Sequence, residues 1–197
     1  MVHAVTDDRV LALPDFLERA AALALGPDWA IHLRGRLPAD HLLRLADQLR
    51  RLTAGSGTFL LVHDRLDIAI LSGADGVHLP ATGFPTARAR SALGPGALLG
   101  RSVHAPDEAR AATAEGSDYV FLGNIWETAS HPGRPGLGPA ALTAALPTRV
   151  VAIGGVTLTT AARAARAGAA GVAAIRALWD APDPAAAART LRVLFPR

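Results

Sequence analysis

Short apolar runs and longer alanine- and leucine-rich stretches alternate along the whole of this chain. The runs lie at 2–6, 29–34, 59–63, 76–79, 98–104, 119–124, 150–154 and 171–175. Most are near-continuous in apolar residues, the pattern of parallel strands covered on both faces. The stretches between them, at 14–25, 38–53, 65–72, 85–93, 106–115, 139–146, 158–167 and 184–194, predict helices. Several open on proline, which suits a first helical turn. Strict alternation of this kind demands a parallel sheet with right-handed crossovers. Eight repeats close naturally into a barrel, so the expected fold is α/β, a single (β/α)8 TIM barrel over residues 1–197. An open, doubly wound sheet is the alternative. The stretch 127–138, rich in proline and glycine, follows the sixth strand on the face where barrels keep their catalytic loops.

Composition narrows the chemistry. With 197 residues, half of them apolar, the chain is near the lower limit for such a barrel yet able to bury one sizeable core. The formal charge is only +3 although the isoelectric point is near 10.8. All 20 basic residues are arginine, so almost nothing titrates between histidine and arginine, and the high isoelectric point does not mean a strongly basic surface. The arginines are scattered without aromatic neighbours, which argues against a nucleic-acid partner. Without lysine there is no Schiff-base chemistry. Without cysteine there is no thiolate nucleophile, disulfide or cysteine-rich metal site. No signal-like or membrane-spanning pattern is present, and a soluble cytoplasmic protein is expected.

Polar residues gather at the expected strand ends: His32, Arg34 and Arg36 end the second, His63 and Asp64 the third, His78 the fourth, Ser102 and His104 the fifth, and Asn124 the sixth. In a barrel these ends meet at one mouth. Any single histidine there is more often a structural hydrogen-bonding group than a catalyst, but so many at equivalent places point to a site. Gly154 and Gly155, before a helix, offer bare amide groups where the helix dipole also favours an anion. Ile175 and Arg176, at the neighbouring strand end, complete a candidate phosphate site between the last two strands.

The runs Val62-His-Asp-Arg-Leu-Asp-Ile-Ala69, Gly73-Ala-Asp-Gly-Val-His-Leu79, Asp118-Tyr-Val-Phe-Leu-Gly123 and Val151-Ala-Ile-Gly-Gly155 resemble the thiamine phosphate synthase/TenI family over nearly the whole chain. Gly100-Arg-Ser-Val-His104, Gly123-Asn-Ile-Trp-Glu-Thr128, His3-Ala-Val-Thr-Asp-Asp8 and Val77-His-Leu-Pro80 look more like the TenI branch. The resemblance implies a barrel that takes a small phosphorylated heterocycle, a thiazole or thiamine phosphate. TenI proteins tautomerise a thiazole carboxylate phosphate to its aromatic form. The synthases join a pyrimidine pyrophosphate to a thiazole phosphate with magnesium.

Against the synthase motifs, this chain retains Arg34 but has His32 for a glutamine and Arg36 for a lysine. It has His63-Asp64 for Asn-Asp, Gly83 where a second metal-binding aspartate falls, and Ser130-His131 for a Thr-Lys pair. These departures weigh against synthase activity and against a bound metal. The tautomerase histidine after strand six falls at Asn124, which cannot act as a base, so His104, His63, His32 or His131 must move the proton, with His104 preferred. The expectation is a tautomerase (an isomerase) without a cofactor, in which His104 and Asn124 act in catalysis. Arg34, Arg36, His63, Asp64, Ser102, His131, Gly154, Gly155, Ile175 and Arg176 bind the substrate. The alternatives are the synthase, which alone calls for magnesium, and a non-catalytic binder of thiazole or thiamine phosphate. Trp126 can stack on a flat ring or pack on the barrel rim. A homodimer is possible for such barrels, and no interface signature is evident.

Overall fold

A computed structural model describes residues 1–128, 133 and 135–195 of the chain. Eight parallel strands, β1 (Val2–Val5), β2 (Trp29–Leu33), β3 (Phe59–His63), β4 (Gly76–Leu79), β5 (Leu98–Val103), β6 (Tyr119–Gly123), β7 (Val150–Ile153) and β8 (Gly171–Ala174), close in sequence order into a barrel. β1 completes the circle by pairing with β8, His3 opposite Ala173. Eight of the helices correspond to the expected stretches: α2 (Phe16–Leu23), α3 (Ala39–Thr53), α4 (Leu66–Ser72), α5 (Thr86–Leu93), α6 (Pro106–Ala114), α7 (Ala140–Ala144), α8 (Leu158–Arg166) and α10 (Pro184–Arg192). Two short helices, α1 (Asp8–Leu11) and α9 (Arg176–Trp179), were not foreseen because four residues are too few to show a helical period. The fold matches the barrel expected from the sequence, and the open-sheet alternative does not hold.

Strand residues sort by parity into two populations. Trp29, Ile31, Leu33, Val77, Leu79, Leu99, Val120, Leu122, Val150 and Ala152 face the helices and join one large apolar layer. Their neighbours face the barrel axis, where Val5, Ala30, Leu61, Tyr119, Phe121, Val151 and Ala173 form a second, smaller cluster. Among these inward residues sit His3, His32 and His78, each no more than 1% exposed. Gly100 makes room for them: a Cβ there would lie 2.2 Å from the Tyr119 ring and 2.5 Å from His78 Nδ1. The lumen is therefore filled by the rings of His3, His32, His78, Tyr119 and Phe121 together with Val5, Leu61 and Val151, a larger ring share than the usual branched aliphatic filling.

At the N-terminal end of the barrel the same device appears twice. Asp75, just before β4, accepts the Leu60 amide at 2.7 Å and the Arg50 guanidinium at 2.8 Å on one carboxylate oxygen. Asp118, just before β6, does the same with the Leu99 amide at 2.7 Å and Arg90 at 2.6 Å. Each carboxylate ties the entry of its own strand to the preceding strand and to an outer helix.

Candidate active site

The C-terminal strand ends carry the expected polar groups, but they divide between lumen and mouth. The His32 and His78 rings point into the lumen and are fully buried, which corrects their expected place at the mouth. Parity explains it: His32 lies two residues after inward Ala30, and His78 two after Gly76, one pleat short of the rim. His32 Nε2 sits 2.8 Å from His3 Nδ1. His78 bridges Tyr119 Oη at 3.1 Å and Ser102 Oγ at 2.9 Å. Burial, aided by the charge on nearby His63, pushes His32 down to about 3. Burial holds His3 and His78 well below the ordinary histidine range as well, with neighbouring histidines as the next cause. These rings are neutral at physiological pH, and His32 leaves the set of candidate bases. His63, stacked on His78 with centroids 5.4 Å apart, is lowered to about 4 by burial and then by the positive charge of Arg34.

At the rim itself, Arg34 and Arg36 are exposed, and their side chains make no ion pair among the described residues. Their backbone is held from β1 and α1. Thr6 Oγ1 accepts the Arg34 amide at 2.7 Å and donates to the Arg34 carbonyl at 2.8 Å, while Asp8 accepts the Arg36 amide at 2.6 Å. The roles of Thr6 and Asp8 were missed in the sequence, although both lie in the His3–Asp8 motif, because their partners are far away in the chain. Asp64 is exposed and adopts a left-handed conformation, φ 65°, with its amide donating to the His78 carbonyl at 3.0 Å. Arg101, also missed, donates to the carbonyls of Phe84 at 2.6 Å and Ala81 at 2.7 Å, bracing the loop after β4.

His104 lies just past β5, exposed. Its Nδ1 is 2.6 Å from the Gly123 carbonyl, and only an N–H can make that bond, so the tautomer is set and Nε2 is left as the basic nitrogen. Glu108 accepts the His104 amide at 2.7 Å. Asn124 is committed to its own loop: its Nδ2 donates to the Trp126 carbonyl at 3.2 Å and its carbonyl accepts the Leu137 amide at 2.9 Å. Trp126 packs on the rim. The Arg163 guanidinium lies 5.9 Å from its ring centroid, covering one face that a stacked heterocycle would need. His131 and Ser130 lie outside the described residues.

Gly154 and Gly155 form the turn after β7 with φ 89° and 65°, a region closed to most side chains. A Cβ on Gly155 would also meet the Glu127 carbonyl at 2.6 Å and Trp126 Cβ at 2.7 Å, so the turn is pressed against the loop after β6. Thr157 then caps α8 through a reciprocal bond with Thr160. β8 stops at Ala174, one residue short of the expected end. Ile175 is half-buried at the entry to α9, and Arg176, its first residue, is exposed.

Comparison with known proteins follows this geometry. The sequence model of the thiamine monophosphate synthase family matches residues 2–178. The chain belongs to that family. A thiamine-phosphate synthase of Methanoculleus marisnigri is 42% identical over 196 residues, covering 97% of this chain and 93% of the relative. One from Moorella thermoacetica is 42% identical over 186 residues, covering 92% and 89%. The structure of a thiamine phosphate pyrophosphorylase from Pyrococcus furiosus superposes with a TM-score of 0.82 at 27% identity, covering 98% of this chain and 94% of the other. These names favour the transferase over the tautomerase that the TenI-like motifs suggested. No helix among the described residues is long and apolar enough to cross a membrane.

For the magnesium that the synthase reading implies, the family mouth is poorly equipped in this chain. A side chain at Gly83 would start 3.1 Å from an Asp64 carboxylate oxygen, but Pro80 atoms stand 2.6 and 2.7 Å from that same point. No group of three histidine or acidic side chains suited to a metal occurs among the described residues. A resident divalent cation held by the protein does not fit this donor set.

Proposed function

We propose that this protein is a transferase of the thiamine-phosphate synthase type, joining a pyrimidine pyrophosphate to a thiazole phosphate with release of pyrophosphate. The observation that carries the reading is the glycine turn after β7, whose Gly155 amide has no acceptor among the described residues and stands before a capped helix. It suits the phosphate of the thiazole, and whole-length relatives of about 40% identity bear the synthase name. Arg34 and Arg36, fixed by their backbone and free of ion pairs among the described residues, suit the pyrophosphate. With Asp8 and Glu108 already engaged by backbone amides and Asp64 left as the available carboxylate, neutralising the leaving group falls to these arginines. The remaining mouth residues, His63, Asp64, Ser102, Ile175 and Arg176, orient the two heterocycles.

The test is to mix the purified protein with both substrates and follow pyrophosphate release, with and without added magnesium. Release no faster than in buffer under both conditions refutes the transferase. One observation favours a second reading: His104, oriented through Nδ1 with a bare Nε2, has the arrangement of a general base for thiazole tautomerisation. Aromatisation of the thiazole carboxylate phosphate, lost in His104→Ala but not in Arg36→Gln, would select it.

A further inference from the structure

The barrel has a second opening. At its N-terminal end, opposite the mouth described above, a cavity of about 260 Å³ enters the lumen. Phe59, Leu61, Leu98 and Val151 form its wall, and Asp28, Asp118 and Arg149 stand among its lining residues. The two carboxylates are already committed: Asp28 pairs with Arg192 at 2.8 Å and Asp118 with Arg90 at 2.6 Å. Arg149 makes no ion pair among the described residues. The charge left over on this side of the barrel is therefore positive.

The histidines add a directional cue. His3 is 1% exposed, lines the cavity, and bonds His32 through Nδ1; its Nε2 has no partner among the described residues. Which ring donates in that pair follows from the far side of His32, whose Nδ1 is buried without a partner. A bare buried lone pair is tolerated more readily than a bare buried N–H. His32 Nε2–H is thus the donor, His32 Nδ1 is the bare lone pair, and the proton of His3 resides on Nε2. That N–H has no acceptor among the described residues and belongs to a side chain that lines the cavity.

We propose that this cavity is a binding site for a small, flat monocarboxylate, its ring against the apolar wall and its carboxylate taken by His3 Nε2–H and Arg149. Wall and charge agree: the apolar residues suit a flat ring, and the Arg149 guanidinium, with the Met1 amino group also among the lining groups, suits an anion. The site lies at the opposite end of the barrel from the reaction, the face that barrels use for stability.

Benzoate titrated into the full chain, followed through the histidine ring nitrogens by NMR, tests the site. Saturable binding at or below about 10 mM that moves the His3 Nε2 resonance is expected. Arg149→Ala should weaken it about tenfold while leaving the fold intact, since this side chain is exposed. Benzamidine, of the same shape and opposite charge, should not saturate. Inorganic phosphate, which suits the glycine turn, should leave the His3 signal in place. Absence of saturation by benzoate, equal affinity in Arg149→Ala, or equal binding of benzamidine overturns the proposal. A second variant at the same position, Arg149→Glu, must abolish benzoate binding with an unchanged melting temperature; retained binding overturns the proposal.

Discussion

His32 lies in β2 and Arg34 just past its end, two residues on, yet they belong to different chemical worlds. The first is sealed in the lumen, neutral, its acidity shifted to about 3 by lost water. The second is exposed at the rim, charged, and kept from wandering only by its backbone bonds to Thr6. The same contrast separates His78 from Asp64. Inside the barrel a polar side chain is part of the packing, and its proton is fixed by neighbours. At the mouth it is available to a ligand.

The most damaging way to break the lumen is to refill it. Gly100→Val should destabilise the protein by about 3 kcal/mol or more, because its Cβ would overlap the Tyr119 and His78 rings. A denaturant midpoint measured against the parent checks this; a change below about 1 kcal/mol would mean the rings are loosely packed. Acid attacks the same rings more gradually. An unfolded histidine titrates near 6.5, whereas His32 and His63 titrate near 3 and 4 when folded. Their contribution is complete above about pH 6.5 and is lost as pH falls from there toward the folded values, since the unfolded chain then binds protons that the folded chain refuses. Each should cost about 1.4 kcal/mol per pH unit in that window. Denaturation curves between pH 7 and 4 measure the slope, and His32→Phe should flatten it.

Changes at the mouth should strike the ligand, and apart from Gly155→Val, whose Cβ would overlap Glu127 and Trp126, they should spare stability. Gly155→Val, strained by its φ of 65° and pressed on Trp126, should lower affinity for a thiazole phosphate by about a hundredfold, measured by calorimetry. Arg34→Gln should cost about tenfold in affinity for the pyrophosphate substrate with an unchanged melting temperature. The mildest change is Asp64→Asn. Asparagine accepts the left-handed backbone, so stability should move by less than about 0.5 kcal/mol while any role of the charge appears in the rate.

The barrel itself was legible in the sequence, because eight apolar runs separated by helical stretches leave little freedom in topology. Strand ends came within one or two residues. The division of the histidines was not legible. A run apolar on both faces does not announce which parity faces the axis, so His32 and His78 looked like rim residues. Only Gly100, which lies opposite His78 and leaves space that a ring can fill, carried a hint. Asn124 was expected to end β6 and instead opens the loop after it, and the commitment of Asn124 and Trp126 to that loop depends on contacts with Leu137 and Arg163 that no local pattern encodes. Gly154 and Gly155 were legible as bare amides before a helix, while their left-handed turn pressed on the loop after β6 was not.

The twin carboxylates at Asp75 and Asp118 reach beyond the stability of two ion pairs. Each reads a neighbouring strand's amide and an outer helix at once, so a slip of one residue breaks both readings together. The chain thereby checks its alignment at β4 and again at β6, and a misaligned half-closed sheet is denied both rewards until it shifts back.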